Sequence, residues 1–308
     1  MLLSMLRLPY MLVLTALTLL AGCNPQGETA TYTPEFSSQP IGSNSKPEVR
    51  VGIHPLHNPE LLFERYGPIV DVLNQQINNY HFVLEASRNY QEFENKLRNH
   101  SLDFAMPNPY QTLDAINNGY QVFGKMAGDE VFRGLVLVRK DSGIKHPREL
   151  RGQSISFPSP TALAATMQPQ YELQQKGLAW GDYQALYVGS QESSIMNVLI
   201  GQTAAGATWP TPWMAFQDNF PERAAQLEVL LQTPPLINNS WIALQELPPE
   251  LIEQVGQVLF NLHTWPEGQQ ILAQLPLNKF EAASNQDYAR VQDFINEFSR
   301  TVRQVDND

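Results

Sequence analysis

Apolar positions follow two alternating periods along the chain. Glu48 to His54 alternates apolar with polar or small residues, which predicts a strand, and 60–77 has helical spacing, with Pro68 expected to kink or split that helix. The succession continues with strands at 81–86, 102–106 and 120–127, and with helices at 90–99 and from 107 onwards. Strands that alternate with helices indicate an α/β domain with a largely parallel sheet.

A second α/β unit of about a hundred residues follows, which is an ordinary domain size. Its predicted elements are strands at 131–140, 153–157, 204–208 and 227–231, helices at 162–176 and near 190–200, and a loop carrying Trp209 and Trp213. The C-terminal part offers one strand, 240–244, and helices at 248–263, 266–275 and 287–302. Since that part has no sheet of its own, it should pack on the first domain, and the chain should cross between domains twice.

The stretch from Tyr187 to Trp213 contains the most informative local pattern. Ser190, Ser193 and Ser194 gather at the start of a predicted helix, where cap residues belong. The first turn of a helix has unpaired N–H groups and partial positive charge, so it suits a small anionic or polar ligand. These serines either form a polar clamp for such a ligand or only cap the helix, and Trp209 either stacks on the ligand or fills the lobe surface.

Composition and the N-terminus change the picture in two ways. The 308 residues are 43% hydrophobic and carry a net charge of −11, which disfavours a nucleic-acid partner. Arg7, an apolar run from Met11 to Leu20 and the small residues before Cys23 resemble a bacterial lipoprotein signal. We therefore expect a signal peptide at 1–22, a lipidated Cys23 and a Pro- and Ser-rich tether at 23–47. The protein is then anchored to a membrane of the cell envelope, on the periplasmic face.

Several short motifs then occur in a characteristic order. They are Val51-Gly52-Ile53, Tyr66-Gly67-Pro68-Ile69, Asp103-Phe104-Ala105, VRKDSGI at 138–144, LRG at 150–152, SFPSPT at 156–161, VGSQESS at 188–194 and GATW at 206–209. With the lipoprotein signal, they resemble the substrate-binding proteins of phosphate, phosphite and phosphonate ABC importers. The resemblance covers essentially the whole mature chain and implies a two-lobed type II periplasmic-binding fold with two hinge crossings. The lobes would be 48–131 with 233–308, and 132–232.

The resemblance also implies that a ligand lies between the lobes and identifies where its contacts should be. The matching positions and their neighbours in this chain are Tyr90, Asn108, Tyr110, Thr161, Ser190, Gln191, Glu192, Ser193 and Trp209. Asn108 and Tyr110 have an equally good interpretation as residues that cap and pack a helix.

The chain departs from the family pattern at its oxyanion-binding positions. The Ser-Thr-Ser run that holds phosphonate oxygens in the family falls at Ala162-Leu163-Ala164, the histidine after Gly189-Ser190 is absent, and the late acidic ligand is replaced by Trp209-Pro210-Thr211. Glu192 also opposes a bare dianion. The resemblance therefore implies the fold and the transport role more firmly than it implies the ligand.

Other chemistry has weak support in the sequence. His54 and His57 could bind a metal, but a metal site needs three or four ligands, so we expect no metal and favour ligand contact through His57. Motifs of serine hydrolases, zinc proteases and phosphate-binding loops are absent, and so is a candidate cofactor site.

The leading hypothesis is a lipid-anchored, monomeric solute-binding protein without enzymatic activity. It would capture a small polar or anionic ligand and deliver it to an ABC transporter permease. A sensory protein of the same fold that acts on a membrane kinase is the alternative, and a cell-envelope hydrolase is a third possibility.

Overall fold

The computed structural model describes residues 46–305, so the predicted signal peptide, Cys23 and most of the predicted tether lie outside the described residues. The helices, numbered in chain order, are α1 Pro59–Gln76, α2 Tyr90–Arg98, α3 Pro109–Asn117, α4 Gln168–Gln175, α5 Gln191–Leu199, α6 Pro210–Asn219, α7 Pro221–Ala224, α8 Pro249–Asn261, α9 Pro266–Gln274 and α10 Ala289–Thr301. Within this part of the chain, no helix combines the length and the apolar character that crossing a membrane requires.

Eleven strands form two separate sheets in the described residues. The strands are β1 Glu48–Ile53, β2 His81–Glu85, β3 Phe104–Met106, β4 Tyr120–Met126, β5 Leu135–Arg139, β6 Ser154–Phe157, β7 Gln184–Tyr187, β8 Ala205–Thr208, β9 Leu227–Gln232, β10 Ser240–Leu244 and β11 Phe280–Ala282. The first sheet has the order β11-β4-β10-β3-β1-β2, and the second has the order β7-β6-β8-β5-β9. We call each sheet with its packed helices a lobe, lobe 1 and lobe 2.

Both sheets combine a parallel part with antiparallel additions. In lobe 1, β1 pairs in parallel with β2 and β3, whereas β10 and β11 run antiparallel to their neighbours. In lobe 2, β6 pairs in parallel with β7 and β8, whereas β5 lies antiparallel between β8 and β9. The parallel strands end at the same edge of their sheet, where ligand sites of α/β proteins lie.

The chain passes between the sheets at two places, as the sequence predicted. It leaves β4 at Met126 and enters β5 at Leu135, and it returns between Gln232 and Ser240. These positions are compatible with the predicted lobe bounds, 48–131 with 233–308 and 132–232, which remain our proposal.

Prolines bear on two local predictions, of which the one for 209–213 was wrong. The segment with Trp209 and Trp213 is the start of helix α6 rather than a loop, since Pro210 and Pro212 lie in its first turn, where N–H groups have no helical acceptor. Pro68 does not split α1, which is continuous. The α1 face with Leu62, Tyr66, Ile69, Val70 and Leu73 is buried, and this packing offsets the lost hydrogen bond.

A third prediction was too long. The strand expected at 131–140 begins only at Leu135, because Asp129–Val131 forms a turn of 3-10 helix. The helix expected at 162–176 begins with a π-helical turn, Leu163–Met167, which continues directly into α4. This turn lies at the edge of the cleft between the lobes.

Candidate functional site

A small cavity lies between the lobes where the parallel strands end. It has a volume of about 10 Å³, roughly the room that one water molecule needs. Lobe 1 contributes His54, Tyr90, Asn108 and Asn239, the first crossing contributes Phe132, and lobe 2 contributes Ala162, Leu163, Ala164, Ala165, Gln191 and Trp209. We call this space the central cavity. It brings together four of the predicted ligand residues: Tyr90, Asn108, Gln191 and Trp209.

Local sequence explains how three of these side chains, Tyr90, Asn108 and Gln191, reach the cavity. Asn89 accepts a hydrogen bond from the main-chain N–H of Glu92, which starts α2 and places Tyr90 as its first residue. Asn108 caps α3 in the same way and forms a capping box with Gln111. Ser190 caps α5 and leaves Gln191 as the first helical residue. Each site residue therefore follows the end of a strand and begins a helix.

Direct hydrogen bonds connect the two lobes around the central cavity. The Gln191 amide donates to the Tyr90 hydroxyl at 3.2 Å, and the Asn108 amide donates to the Thr161 carbonyl oxygen at 3.2 Å. The Thr161 hydroxyl donates to the Glu94 carboxylate at 2.6 Å. The structure is therefore in a closed conformation, with the lobes in direct polar contact.

Tyr90 and Glu94 have perturbed acidities in this closed conformation. Burial raises the pKa of the Tyr90 hydroxyl well above its usual value, so this group stays protonated. Burial also raises the pKa of Glu94, while hydrogen bonds from Thr161 and Gln111 oppose that rise. Sequence reasoning missed Glu94, since its donors come from α3 and from the other lobe.

His54 is a second residue that the sequence did not identify as a ligand contact. Its Nδ1 lies 2.9 Å from the Met106 carbonyl oxygen. A carbonyl oxygen only accepts, so Nδ1 carries the proton. Burial lowers the His54 pKa to about 4, so at neutral pH the ring is uncharged and its Nε2 is an acceptor.

Asn239 adds an unsatisfied polar atom to the central cavity. Its side chain is fully buried, and its Oδ1 has no hydrogen-bond partner among the described residues. A buried polar atom without a partner costs about 1–3 kcal/mol. A ligand donor would remove that cost.

The alanine-rich segment 162–165 lines the central cavity at the start of a helical run. Ala162 precedes the first helical turn and provides no side-chain cap. Thr166 and Met167 donate their N–H groups to the Ala162 carbonyl oxygen, whereas the N–H groups of the first helical residues have no acceptor within a helix. Because 163–175 is one uninterrupted helical run, the positive end of its dipole points at the central cavity.

His57 and Glu192 lie in a different cavity. This space of about 210 Å³ lies between the start of α1 and helices α5 and α6. Asn58 donates from its amide to Glu192 at 3.2 Å across the lobes. Burial lowers the pKa of His57 to about 3. The structure therefore separates these two candidates from the central cavity.

The three serines of the VGSQESS motif bond to the protein itself. Ser190 accepts from the Ser193 N–H and donates to the Ser193 hydroxyl at 2.9 Å. Ser194 donates to the carbonyl oxygens of Ser156 and Ala207, which ties α5 to the sheet of lobe 2. The role of Ser190 and Ser193 in ligand binding stays a prediction.

The aromatic candidates Trp209, Trp213 and Tyr110 are all buried, but they lie in different places. Trp209 is buried against Phe132, with ring centroids 5.5 Å apart. Trp213 stacks on Phe216 inside lobe 2. Tyr110 is buried, and desolvation raises the pKa of its hydroxyl to about 12. Among residues 46–305, no group of three or more His, Cys, Asp or Glu side chains could hold a metal ion.

A much larger cavity adjoins the central one on the other side of Tyr90, which lines both. It has a volume of about 630 Å³ and is lined by Asn89, Tyr90, Gln91, Glu94, Arg98, Pro158, Ser159, Pro160, Thr161, Trp180, Tyr187, Gly189, Arg303 and Gln304. We call it the outer cavity. Apart from Tyr90 and Thr161, the sequence did not indicate its lining, because this combines the C-terminal segment with lobe 2.

Comparison with known proteins gives a consistent family. Residues 51–288 match the family model described as "ABC transporter, phosphonate, periplasmic substrate-binding protein". One relative, from Prochlorococcus marinus, is named a probable ABC transporter phosphite binding protein, PhnD1. It is 24% identical over an alignment 278 residues long, and the match covers 83% of this chain and 91% of that protein.

Solved structures agree with the topology described above. The structure of PhnD1 from Prochlorococcus marinus in complex with methylphosphonate has a TM-score of 0.76 at 21% identity, and the match covers 82% of this chain and 98% of that one. A binding protein component of an ABC phosphonate transporter from Pseudomonas aeruginosa has a TM-score of 0.78 at 18% identity, covering 83% and 88%. The predicted two-lobed type II periplasmic-binding fold is confirmed.

Proposed function

We propose a function from one premise: this chain belongs to the family of periplasmic substrate-binding proteins of phosphonate ABC transporters. It captures a small phosphorus oxyanion of the phosphonate or phosphite class between the two lobes, at the position of the central cavity. Because that cavity now has room for about one water molecule, the lobes of the loaded form close less tightly than they do in this structure. The protein then presents the closed, loaded form to the permease of an ABC importer. The family model describes a transport protein, which favours this function over the sensory and hydrolase alternatives.

The observation that carries the proposal is the set of polar groups around the central cavity. Main-chain N–H groups at the start of the 163–175 helical run supply donors, and the Tyr90 hydroxyl supplies another. Asn239 Oδ1 and the neutral His54 supply acceptors. An oxyanion that keeps one P–OH group can satisfy both kinds of partner.

This set also answers the difficulty that the sequence raised. Replacing the Ser-Thr-Ser run by Ala162-Leu163-Ala164 removes hydroxyl donors but leaves the main-chain N–H groups in place. Glu192 lies in the separate cavity with His57, so its charge is not part of the central lining. Both points support an oxyanion ligand.

A ligand panel tests this function. Thermal unfolding of the purified chain from residue 46 onwards is measured with methylphosphonate, phosphite, phosphate, sulfate and neutral polyols. A true ligand at a hundred times its dissociation constant stabilises the protein by about 2.7 kcal/mol. We expect methylphosphonate or phosphite to raise the melting temperature and the polyols to leave it unchanged. If no oxyanion shifts the melting temperature, the proposal is wrong.

We also propose that the chain is anchored through Cys23 to a membrane of the cell envelope and acts as a monomer. The support is the lipoprotein-like signal together with the extracytoplasmic place of the family. Expression of the full chain and of Cys23→Ser tests the anchor, followed by fractionation and mass spectrometry of the mature N-terminus. The full chain should carry a lipid on Cys23 and sediment with membranes. A soluble, unmodified wild-type chain would refute the anchor.

A further inference from the structure

We propose that the outer cavity is a second subsite, which takes the organic end of a ligand whose phosphonate head occupies the central cavity. This organic end carries a carboxylate or an equivalent anionic group, which Arg303 recognises. The inference rests on the function proposed above and extends it from a headgroup to a substrate class: phosphonates with an anionic tail.

Space is the first argument. The central cavity measures about 10 Å³, whereas the outer cavity measures about 630 Å³. Both are lined by Tyr90, so a substituent that passes the Tyr90 ring leaves one and enters the other. The outer cavity therefore has room for a substituent that the central cavity lacks.

The state of Arg303 is the second argument. Its guanidinium donates to the Gln170 side-chain oxygen at 3.0 Å and to the carbonyl oxygens of Gln304 at 3.2 Å and Pro160 at 2.8 Å. These bonds use three of its five N–H donors. All three partners are uncharged, so within the described part of the chain no carboxylate pairs with this cation. A charge held between lobes without a counter-ion favours an anionic ligand.

Aromatic side chains hold the guanidinium in place. Arg303 lies 5.5 Å from the ring centroid of Trp180, 5.9 Å from that of Tyr187 and 5.2 Å from that of Phe298. Trp180 and Tyr187 are nevertheless 38% and 40% exposed. The three rings therefore hold the guanidinium in place through cation–π contacts. Trp180 and Tyr187 also leave apolar surface exposed, against which the alkyl chain of a ligand can pack.

The other charges of the outer cavity do not cancel this preference. Arg98 adds a second cation, which is 3.3 Å from Asp114. Glu94 is the acidic lining residue, and one of its carboxylate oxygens already accepts hydrogen bonds from Thr161 and Gln111. Glu94 keeps its charge, but among the lining cations Arg98 pairs with Asp114, and Arg303 has no carboxylate partner among the described residues.

The test compares matched pairs of ligands. Isothermal titration calorimetry measures ω-carboxyalkylphosphonates with two to five carbons, each against the alkylphosphonate of the same length, and methylphosphonate serves as the headgroup reference. For the chain length that reaches Arg303, the wild-type protein should bind the carboxylate at least about tenfold more tightly than its neutral partner.

The variant Arg303→Gln should abolish that ratio. Arg303 also bonds to Pro160 across the lobes, so its loss is expected to weaken all ligands somewhat, and the ratio removes this common effect. Arg303→Lys should retain part of the preference through its charge. Arg300→Gln is the matched control, because Arg300 is exposed on α10 and pairs with Glu297; it should keep the wild-type ratio.

Three results would overturn the inference. One is a wild-type protein that binds methylphosphonate but shows no carboxylate preference; another is a preference for ω-aminoalkylphosphonates. The third is an unchanged ratio in Arg303→Gln with equal weakening of both ligands, which would make Arg303 a contact of the closed lobes only. If methylphosphonate and all other oxyanions fail to bind the wild type, the proposed function itself falls.

Discussion

At the scale of single residues, the contact between Tyr90 and Gln191 is a direct link between the lobes at the ligand position. The Gln191 amide donates to the Tyr90 hydroxyl, and its own oxygen accepts from Thr208 at 3.1 Å. Gln191 is thus held in place by lobe 2, and its amide can bond to Tyr90 only when lobe 1 is close. Removing the hydroxyl leaves a buried donor without a partner in the closed form.

We expect Tyr90→Phe to bind the ligand about 5- to 30-fold more weakly, which corresponds to about 1–2 kcal/mol. Calorimetric titration with methylphosphonate or phosphite measures the change. Tyr80→Phe is the control, since Tyr80 precedes β2 at the end of the strand remote from Tyr90. Equal affinities for the two variants would contradict a role of the Tyr90 hydroxyl.

His57 gives a residue-scale prediction about pH. Its pKa is lowered from 6.5 to about 3, mainly by burial and further by Arg65 and His54. Between these pH values the unfolded chain binds a proton at this position that the folded chain does not. The stability due to the neutral folded form is therefore complete above pH 6.5 and decreases as the pH falls towards 3.

The variant His57→Gln should lose this proton uptake. Between pH 5.5 and 4.5, its free energy of unfolding should fall less steeply than that of the wild type, by about 1.4 kcal/mol per pH unit. Urea denaturation at a series of pH values measures the slopes. Between pH 7.5 and 8.5 the two proteins should have the same slope, because neither the folded nor the unfolded chain binds a proton at His57 there. Parallel slopes for wild type and His57→Gln between pH 5.5 and 4.5 would refute the assignment.

At the scale of elements, the close packing of α5 on β8 positions Gln191. Gly206 lies under that helix, and a Cβ there would be 2.5 Å from the Ser194 carbonyl oxygen and 2.5 Å from a Val198 methyl group. The first of these atoms belongs to the helix backbone, so the conflict is not relieved by a rotamer change.

Gly206→Ala should therefore destabilise the protein by about 1–3 kcal/mol, the usual cost of overpacking. It should also weaken ligand binding, because the start of α5 moves with the helix. Chemical denaturation and titration measure the two effects. Val229→Ala changes an exposed position on β9 and should alter the free energy of unfolding by less than about 0.5 kcal/mol. A Gly206→Ala protein as stable as Val229→Ala would contradict this account of the packing.

Elements were also where sequence reasoning succeeded most. Alternation and helical spacing predicted most strands and helices of both lobes, because many of these elements bury one face. Strand β11, Phe280–Ala282, was not predicted, since the C-terminal part was expected to contribute one strand, 240–244. The start of α6 was missed, since Pro210 and Pro212 indicate a break unless one knows that they occupy a first turn. Tyr90 and Asn108 could be predicted as site candidates because both lie where a strand ends and a helix starts, which the local sequence pattern shows.

The rest of the site depends on how the lobes meet, which local patterns do not contain. Asn239 reaches the central cavity from the second crossing, and Arg303 reaches the outer cavity from the C-terminal segment. Glu94 finds Thr161 although 67 positions separate them in the chain. The family resemblance did indicate which distant parts of the chain meet at the ligand, but only at positions that match the family motifs.

At the scale of the whole molecule, direct hydrogen bonds between the lobes favour the closed form. Thr161 forms two of them, through its hydroxyl to Glu94 and through its carbonyl oxygen to Asn108. Thr161→Val removes the hydroxyl and leaves a buried carboxylate with fewer donors. A hydrogen bond to a charged group contributes about 1.5–3 kcal/mol, so the open form should gain population.

Small-angle scattering of the ligand-free Thr161→Val protein should show a larger radius of gyration than that of Thr161→Ser, which keeps the hydroxyl. Apparent affinity falls in proportion to the closed fraction, so Thr161→Val should bind the ligand more weakly than Thr161→Ser, by at most about a hundredfold. At saturating ligand, both variants should have the same radius, because the ligand supplies the missing attraction. Identical radii without ligand, together with equal affinities, would show that the Glu94–Thr161 contact does not control closure.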